Sequence, residues 1–479
     1  MKIEDILAKD FKEVVSILSV DTVETREPKA YLDEYNGKRE RRRTSVDKRE
    51  NKSANIYSDT ETDEAGNPLK TGTSTVFVAK IRTNLPKKIV RTANAFLFGG
   101  EMKVEFDQSD DASEFFKTTF VDKLKMKAVF ALFARTVMIE TKSALLFFPK
   151  AVVNDGVSEI QIGVNVLSSI NSTFYPHFDE YGDMDAFIRR YMAIGDDGKP
   201  QERIWIQTAE KELTAVATNG DWLVTEKPNL AKKITVVYAE QDAPEWEDVV
   251  TNIDALEMRL SRLVDTNDYF SEPILKSFGQ SSLPSKESVG KSLEFDIEVD
   301  PDSGKTYHGD AEYLVWQQSI ESTKLELDEM KNEIHSGTST PDISFENLKS
   351  IGNITGIGMK FMFLDAFIKS IEKMEIFGPA VQRSVSVIKA LVSNVAQTKY
   401  KSALDANNIK VTFRSILPDD LKEYIDVLKA ANGDKPINAQ ETITGLSPFT
   451  KDTQEEVARI NSEATAESSR NSLVGTVIQ

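Results

Sequence analysis

Apolar residues in the first eighteen positions recur at helical spacing. Ile3, Ile6, Leu7, Phe11, Val14, Val15 and Leu18 fall on one side of an amphipathic helix. The pattern then lapses. From Leu32 to Lys70 the chain is polar, and Arg39, Arg41, Arg42, Arg43, Lys48 and Arg49 make it locally basic. Two readings stay open for this stretch: a solvated arm, or a contact for an acidic partner surface or DNA. Folded character returns at Ser74. Thr83 and Asn84 open a helix that Gly99-Gly100 stops, and the strand MKVEF follows. Residues Ala112–Ala134 read as mostly helical. Val137–Ala151 and Ile160–Val166 have strand character. Phe187–Thr225 adds short strands, with a hairpin turn at Asn219-Gly220, and ITVVYAE closes the region. The first half is therefore α+β.

The second half changes period. Glu245–Phe270 predicts a long helix, with Val249, Ile253, Leu256, Leu260, Leu263 and Val264 on one stripe. Asp254, Glu257, Arg259 and Arg262 occupy its other face. Residues 272–307 are broken by Gly and Ser and hold one strand, SLEFDIEVD, followed by a DPDSG turn. Gly309–Ser336 predicts a second long helix. A polar loop rich in Gly, Asn and Thr comes next, within TPDISFENLKSIGNITGIGMKFMFLDAFIKSIEK (Thr340–Lys373). Ile354–Lys399 then continues as a helical pattern. Gly378-Pro379 lies in its middle and should kink or break it. IKVTFRSI (409–416) reads as a strand, Pro418–Asn432 as a helix, Ile437–Leu446 as a short helical element, and the tail as polar and helix-prone.

Two long helices thus flank a compact, strand-containing excursion. Neither can bury its apolar stripe alone, so they should pack on each other or on neighbouring copies. A head-to-tail arrangement of identical subunits closes into a ring.

Composition narrows the function. At 479 residues the chain can bury a sizeable core and forms two to four units. The net charge of -18 argues against a simple basic DNA-binding surface. It does not exclude nucleic acid as a partner. The absence of cysteine excludes disulfides, thiol catalysis and Cys-ligated metals. MKIEDILAKDFKEVVSIL lacks the basic start and unbroken apolar run of a secretory signal. The longest apolar runs, Ala128–Ala134 and Ala144–Pro149, are too short to span a bilayer.

Candidate chemistry fails pattern by pattern. Gly290-Lys291-Ser292 looks like the end of a phosphate-binding loop, but Ser285 stands where the first glycine is needed. Asp300–Gly304 has its glycine one place early for a calcium loop, and Ala311 occupies the position of the bidentate acid. Gly356 and Gly358 make an incomplete dinucleotide pattern. His177, His308 and His335 are not at metal-ligand spacing. No G-x-S-x-G elbow anchors a triad. Trp205, Trp222, Trp246 and Trp316 are scattered, without interleaved basic residues for base stacking. The sequence names no catalytic, cofactor-binding or metal-binding residue.

One resemblance orders these elements. NLPKKIVRTANAFLFGGEMKVEF, WEDVVTNIDALEMRLSRLVDTNDYFSEPIL, GDAEYLVWQQSIESTKLELDEMKNEIHSGTSTPDIS, ITGIGMKFMFLDAFIKSIEK and the segment from Phe413 to Ile460 occur in the order found in portal proteins of tailed double-stranded DNA bacteriophages of the siphovirus type. The chain resembles that family from Asn84 onward, with Thr355 in place of the usual Ser. The resemblance implies an α+β portal fold with an α/β wing, a two-helix stem, a small strand-containing clip, a long kinked helix and a helical crown. It divides the chain into an N-terminal helix and basic arm (1–73), a first wing part (74–244), an outgoing stem helix (245–271), a clip (272–308), a returning stem helix (309–336), a tunnel loop (337–355), a long kinked helix with the second wing part (356–432) and a crown (433–479). It implies a non-enzymatic dodecameric ring at one capsid vertex of the virion, made in the host cytoplasm. Double-stranded DNA would pass through it for packaging, retention and ejection. The implied partners are terminase, head-completion or adaptor proteins, and the major capsid and scaffolding proteins, with no membrane. Asn347, Lys349, Ser350 and Asn353 would be the DNA-facing residues of the tunnel loop. Two rivals remain: an acidic metal-dependent DNA-processing enzyme, and another ring-forming head–tail adaptor.

Overall fold

Helix α6 (Met126–Glu140) carries the centre of the core. Met126, Phe130, Phe133 and Val137 recur at helical spacing, and all four are buried. The structure is a computed structural model that describes residues 3–18, 28–39, 41, 45–64, 68–154, 157–195, 198–218, 221–271, 274–278, 297–299, 304, 306–308, 310–314, 320–342, 361–414, 416 and 453–475. The α6 core is closed on one side by α4 (Leu85–Phe98) and α9 (Leu364–Leu391). On the other lies a three-stranded antiparallel sheet, ordered β11-β4-β5. Strand β4 (Lys142–Asn154) pairs with β5 (Val157–Ser168) from Ser143↔Ser168 to Asn154↔Val157, and with β11 (Val236–Glu240) along its other edge. A ring cluster joins distant segments: Phe98 meets Phe413 at 4.8 Å and Phe130 at 5.9 Å. Phe413 arrives there because β16 (Ile409–Phe413) pairs with β3 (Met102–Phe106).

A second, five-stranded antiparallel meander runs β10-β9-β8-β7-β6, covering Ser172–Phe178, Met184–Ile194, Pro200–Thr208, Lys211–Thr218 and Asp221–Pro228. Thr218 pairs with Asp221, so only residues 219–220 join β9 to β10, where the sequence placed a hairpin turn. The N-terminal amphipathic stretch forms two helices, α1 (Ile3–Leu7) and α2 (Phe11–Leu18). Their Ile3, Ile6 and Val14 cover Ile188, Ile204 and Ala215 of this sheet.

Several boundaries differ from the sequence reading. Helix α6 persists through Val137, Met138 and Ile139, residues that read as strand, because its core-facing stripe continues there. Thr141, in the left-handed region at φ 69°, ends it. Helix α9 continues through Gly378-Pro379 as one helix. Proline costs one backbone hydrogen bond there, and Phe377, Ala380 and Val381, all buried, hold the turn in place. The helix expected over Gly309–Ser336 begins only at Ile320. Asp310–Leu314 is instead strand β15, paired antiparallel with β12 (Ile274–Phe278). A ladder with a partner some forty residues away is invisible to local periodicity. The strand within SLEFDIEVD is β13 (Ile297–Val299), which pairs with β14 (Thr306–His308) as a hairpin.

The basic arm is the largest correction. Lys52–Thr62 (β1) and Pro68–Val76 (β2) form an antiparallel hairpin, and Arg39, Arg41 and Arg49 are buried or largely buried in ion pairs within the chain. The rest of the chain after β16 belongs to a second unit, Asn353–Lys360 with Leu417–Gln479. Its described part is the helix α11 (Thr453–Gly475). The helices expected at Pro418–Asn432 and Ile437–Leu446 lie outside the described residues.

Candidate functional site

Helices α7 (Val250–Ser271) and α8 (Ile320–Gly337) run as a packed pair. Ile253, Leu256 and Ile334 are buried between or beneath them. Arg259 bridges to Glu326 at 2.7 Å across the pair. Gly337 permits the close approach of α8 to the start of α7, since a Cβ there would sit 2.9 Å from Val249 Cγ1. On the outer side of α8, Glu321, Leu325, Glu329 and Glu333 follow at four-residue spacing, all exposed, which gives the pair an acidic outer stripe. The charged face expected on α7 is not uniformly solvated. Asp254 and Glu257 are buried, because an extended segment lies against them.

That segment is zipped to α7. Glu257, Ser261 and Asp265 accept the backbone N–H groups of Thr83, Ile81 and Ala79 at 2.7, 2.8 and 2.7 Å. The periods match: four helical residues advance about 6 Å, and two extended residues about 6.6 Å. Arg39 then grips both carboxylate oxygens of Glu257, at 3.1 Å from Nε and 2.9 Å from Nη2, with both side chains 1% exposed. Arg41 joins Glu34 to Glu247, and Trp246 Nε1 donates to Glu34 at 3.0 Å. Arg49 pairs with Asp265 and donates to Ala79 O. Burial pushes the Asp265 carboxyl up, but the Ala79 N–H and Arg49 outweigh it and hold it below the ordinary range.

A second anchor sits where α8 ends. Thr338 O accepts from Lys369 Nζ of α9 at 2.6 Å, and His335 Nδ1 donates to Thr340 O at 2.8 Å. Asp342 pairs with Lys88 of α4. Lys369 and Lys373 converge on the buried Glu245 at 2.7 and 2.8 Å. Burial alone would raise the Glu245 carboxyl, yet the two ammonium groups hold it below its usual range. Burial lowers Lys369 despite that carboxylate. Where the described chain resumes, Phe363 and Phe367 of the α9 start lie 5.7 and 5.6 Å from Phe96 of α4. Asp342 and Phe363, on either side of residues 343–360, therefore both meet one helix. The two contact residues on α4, Lys88 and Phe96, are about 12 Å apart along the axis.

The predicted DNA-facing residues Asn347, Lys349, Ser350 and Asn353 lie outside the described residues, as do Gly356, Gly358 and the Gly290-Lys291-Ser292 run. His177 Nδ1 is 2.6 Å from Asp185 Oδ1, a pair between adjacent strands. Among the described residues no three His, Asp or Glu side chains converge as metal ligands would, and no helix is long and apolar enough to cross a membrane. The residues that sequence reasoning missed are the anchors: Arg39 with Glu257, Arg49 with Asp265, and Glu245 with Lys369. The four-residue repeat Glu257, Ser261, Asp265 was a signal in plain view. It pointed to something extended lying along the helix.

No curated protein sequence matches the chain. Among solved structures it is similar to a chain in the neck of an empty gene transfer agent particle computed with C6 symmetry, at 9% identity and TM-score 0.40, covering 76% of this chain and 90% of that one. A chain in the virion of a native gene transfer agent particle is similar at 10% identity and TM-score 0.35, with the same coverages of 76% and 90%. A chain in the neck of the native particle computed with C12 symmetry is similar at 10% identity and TM-score 0.37, covering 75% and 88%. These likenesses are too distant to carry weight. The family model does carry it: the SPP1 Gp6-like phage portal protein model matches residues 21–470, nearly the whole chain. The chain therefore belongs to the phage portal protein family of the SPP1 Gp6-like type.

Proposed function

We propose that copies of this chain form a closed ring of about twelve subunits at one vertex of the phage capsid, through which double-stranded DNA is packaged, retained and ejected. In this reading α7 and α8 are the stem, the paired strands between them belong to the clip, and the segment after Asp342 is the tunnel loop. The single observation that carries the proposal is the family match over residues 21–470. The geometry at the end of α8 supports the loop's role, because a segment whose two flanks meet one helix can project without disturbing the core. Asn347, Lys349, Ser350 and Asn353 would meet DNA phosphates there, contacts that carry no base information. The acidic outer stripe of α8 suits a wall that does not grip. The clip would dock terminase during packaging and head-completion proteins afterwards. The capsid and scaffolding proteins would meet the outer surface. The family is a structural one, and the ring does no chemistry of its own in this reading.

Electron microscopy of the purified protein tests the ring. Annular particles with an axial hole are expected, and a monomer at every concentration would overturn the proposal. Deleting Lys349–Asn353 tests the loop: rings should still form while packaging or retention of DNA fails. Loss of assembly would instead make the loop a structural element.

A further inference from the structure

The hairpin of β1 and β2 has no use within the described chain. It is a two-stranded sheet without a third strand. Its described residues are exposed on both faces apart from a few half-buried ones such as Ala54 and Gly72. Tyr57 is 54% exposed, and Phe77 at its base is 80% exposed. An isolated two-stranded hairpin is marginally stable in water. The charges and the proline of its strands lie at Lys52 and toward the tip, at Asp59, Glu61, Pro68 and Lys70. Ser53–Tyr57 and Thr71–Phe77 contain no charge and no proline. At eleven residues, β1 reaches about 36 Å.

The base is fixed. Arg49 binds Asp265 and Ala79 O, and Val78 N donates to Asn51 Oδ1 at 3.3 Å. With Ala79 N also on Asp265, both ends of the hairpin are tied to α7. Among the described residues, none of the hairpin's side chains belongs to a core cluster.

We propose that the hairpin lies across an adjacent copy of this chain, its uncharged stretches Ser53–Tyr57 and Thr71–Phe77 forming part of the contact between neighbouring subunits. The proposal rests on the ring reading above. Its area fits: a face about 36 Å long and about 10 Å wide, with the surface it covers, buries about 700 Å² in total, nearly half of a standard ~1,600 Å² interface. In a head-to-tail ring every subunit gives one hairpin and receives one, so no arm is left uncovered.

The chain has no cysteine, so Thr73→Cys places one thiol on the hairpin for a benzophenone photo-crosslinker. Rings assembled from mixed ¹⁵N-labelled and unlabelled chains should give crosslinked peptides that join heavy to light. Hairpin amides should exchange at least about tenfold more slowly in the ring than in the monomer. Ile56→Asp should raise the concentration for half-assembly about tenfold, with the monomer's melting temperature unchanged. Rings whose hairpins stay unprotected and crosslink only within one chain would overturn this inference and leave the ring reading standing. So would hairpins protected only in complete heads, crosslinked to a shell protein. A protein that never leaves the monomer would overturn both.

Discussion

Two places at the edge of the core, the base of the β1–β2 hairpin and the end of α8, are tied down differently. At the base of the β1–β2 hairpin Arg49 holds Asp265, and the segments flanking it are held along α7 by three backbone N–H groups on successive turns and by the bidentate Arg39–Glu257 pair, both partners 1% exposed. Residues 338–342 at the end of α8 are held by Lys369 on Thr338 O, His335 on Thr340 O and Lys88 on Asp342, the last pair half-exposed. A guanidinium fork fixes both distance and plane, whereas an ammonium rotates freely about its stem. The first base cannot shift without stranding a buried charge. At the second, Lys369 is likewise a buried charge, held on Glu245, and only the half-exposed Lys88 on Asp342 is free to rotate. A fixed base suits the contact with a neighbouring subunit proposed for the arm.

The contrast breaks most readily at Arg39. Arg39→Met leaves Glu257 ionised, buried and held only by Thr83, and should cost about 3–5 kcal/mol in chemical denaturation of the monomer. Combining it with Glu257→Leu should recover most of that loss. A single-variant loss below about 1 kcal/mol would mean that the ion pair does not secure the hairpin base. Next comes Glu245→Gln, which leaves Lys369 buried without a countercharge and should cost about 2–3 kcal/mol. Its pH dependence has a definite sign. The folded carboxyl lies below its ordinary value of 4.5, so its stabilisation is complete above that pH and fades as pH falls through the lowered value. Wild type and Glu245→Gln should therefore converge in melting temperature in acid. A gap that persisted at the lowest accessible pH would place the effect in packing. The smallest effect belongs to Lys88→Ala. Its half-exposed pair with Asp342 is worth about 0–1 kcal/mol, and 1 M salt should erase what there is. A larger, salt-independent loss would make the loop base as rigid as the hairpin base.

Much of the architecture was legible because it is local. The amphipathic repeat of Ile3, Ile6, Phe11 and Val14, the Asn84-to-Gly99 helix, the strand MKVEF and the two-residue turn after Thr218 all follow from spacing and turn chemistry. The resemblance to the portal family rested on a different set, the order of the Asn84 helix with MKVEF, the two long helices and the stretches 354–373 and 413–460, and the match over 21–470 establishes the family. What was not legible depended on partners far along the chain. Arg39 and Glu257 are 218 residues apart, and a cluster of arginines in a polar stretch gives no hint of which acids will bury it. Tyr313 and Leu314 fit the register of a helix until β12 offers them a ladder.

By itself the sequence determined the α+β class, the two long helices around a strand-bearing excursion and the family. Periodicity and composition act residue by residue, and no folded partner is needed to read them. Tertiary structure alone decided that the polar stretch holds a β-hairpin, that α9 runs through Pro379, and that Asp342 and Phe363 both meet α4. Each of these outcomes turns on burial. A buried charge must find its counterion, and a proline inside a packed helix loses one hydrogen bond while its neighbours keep their contacts.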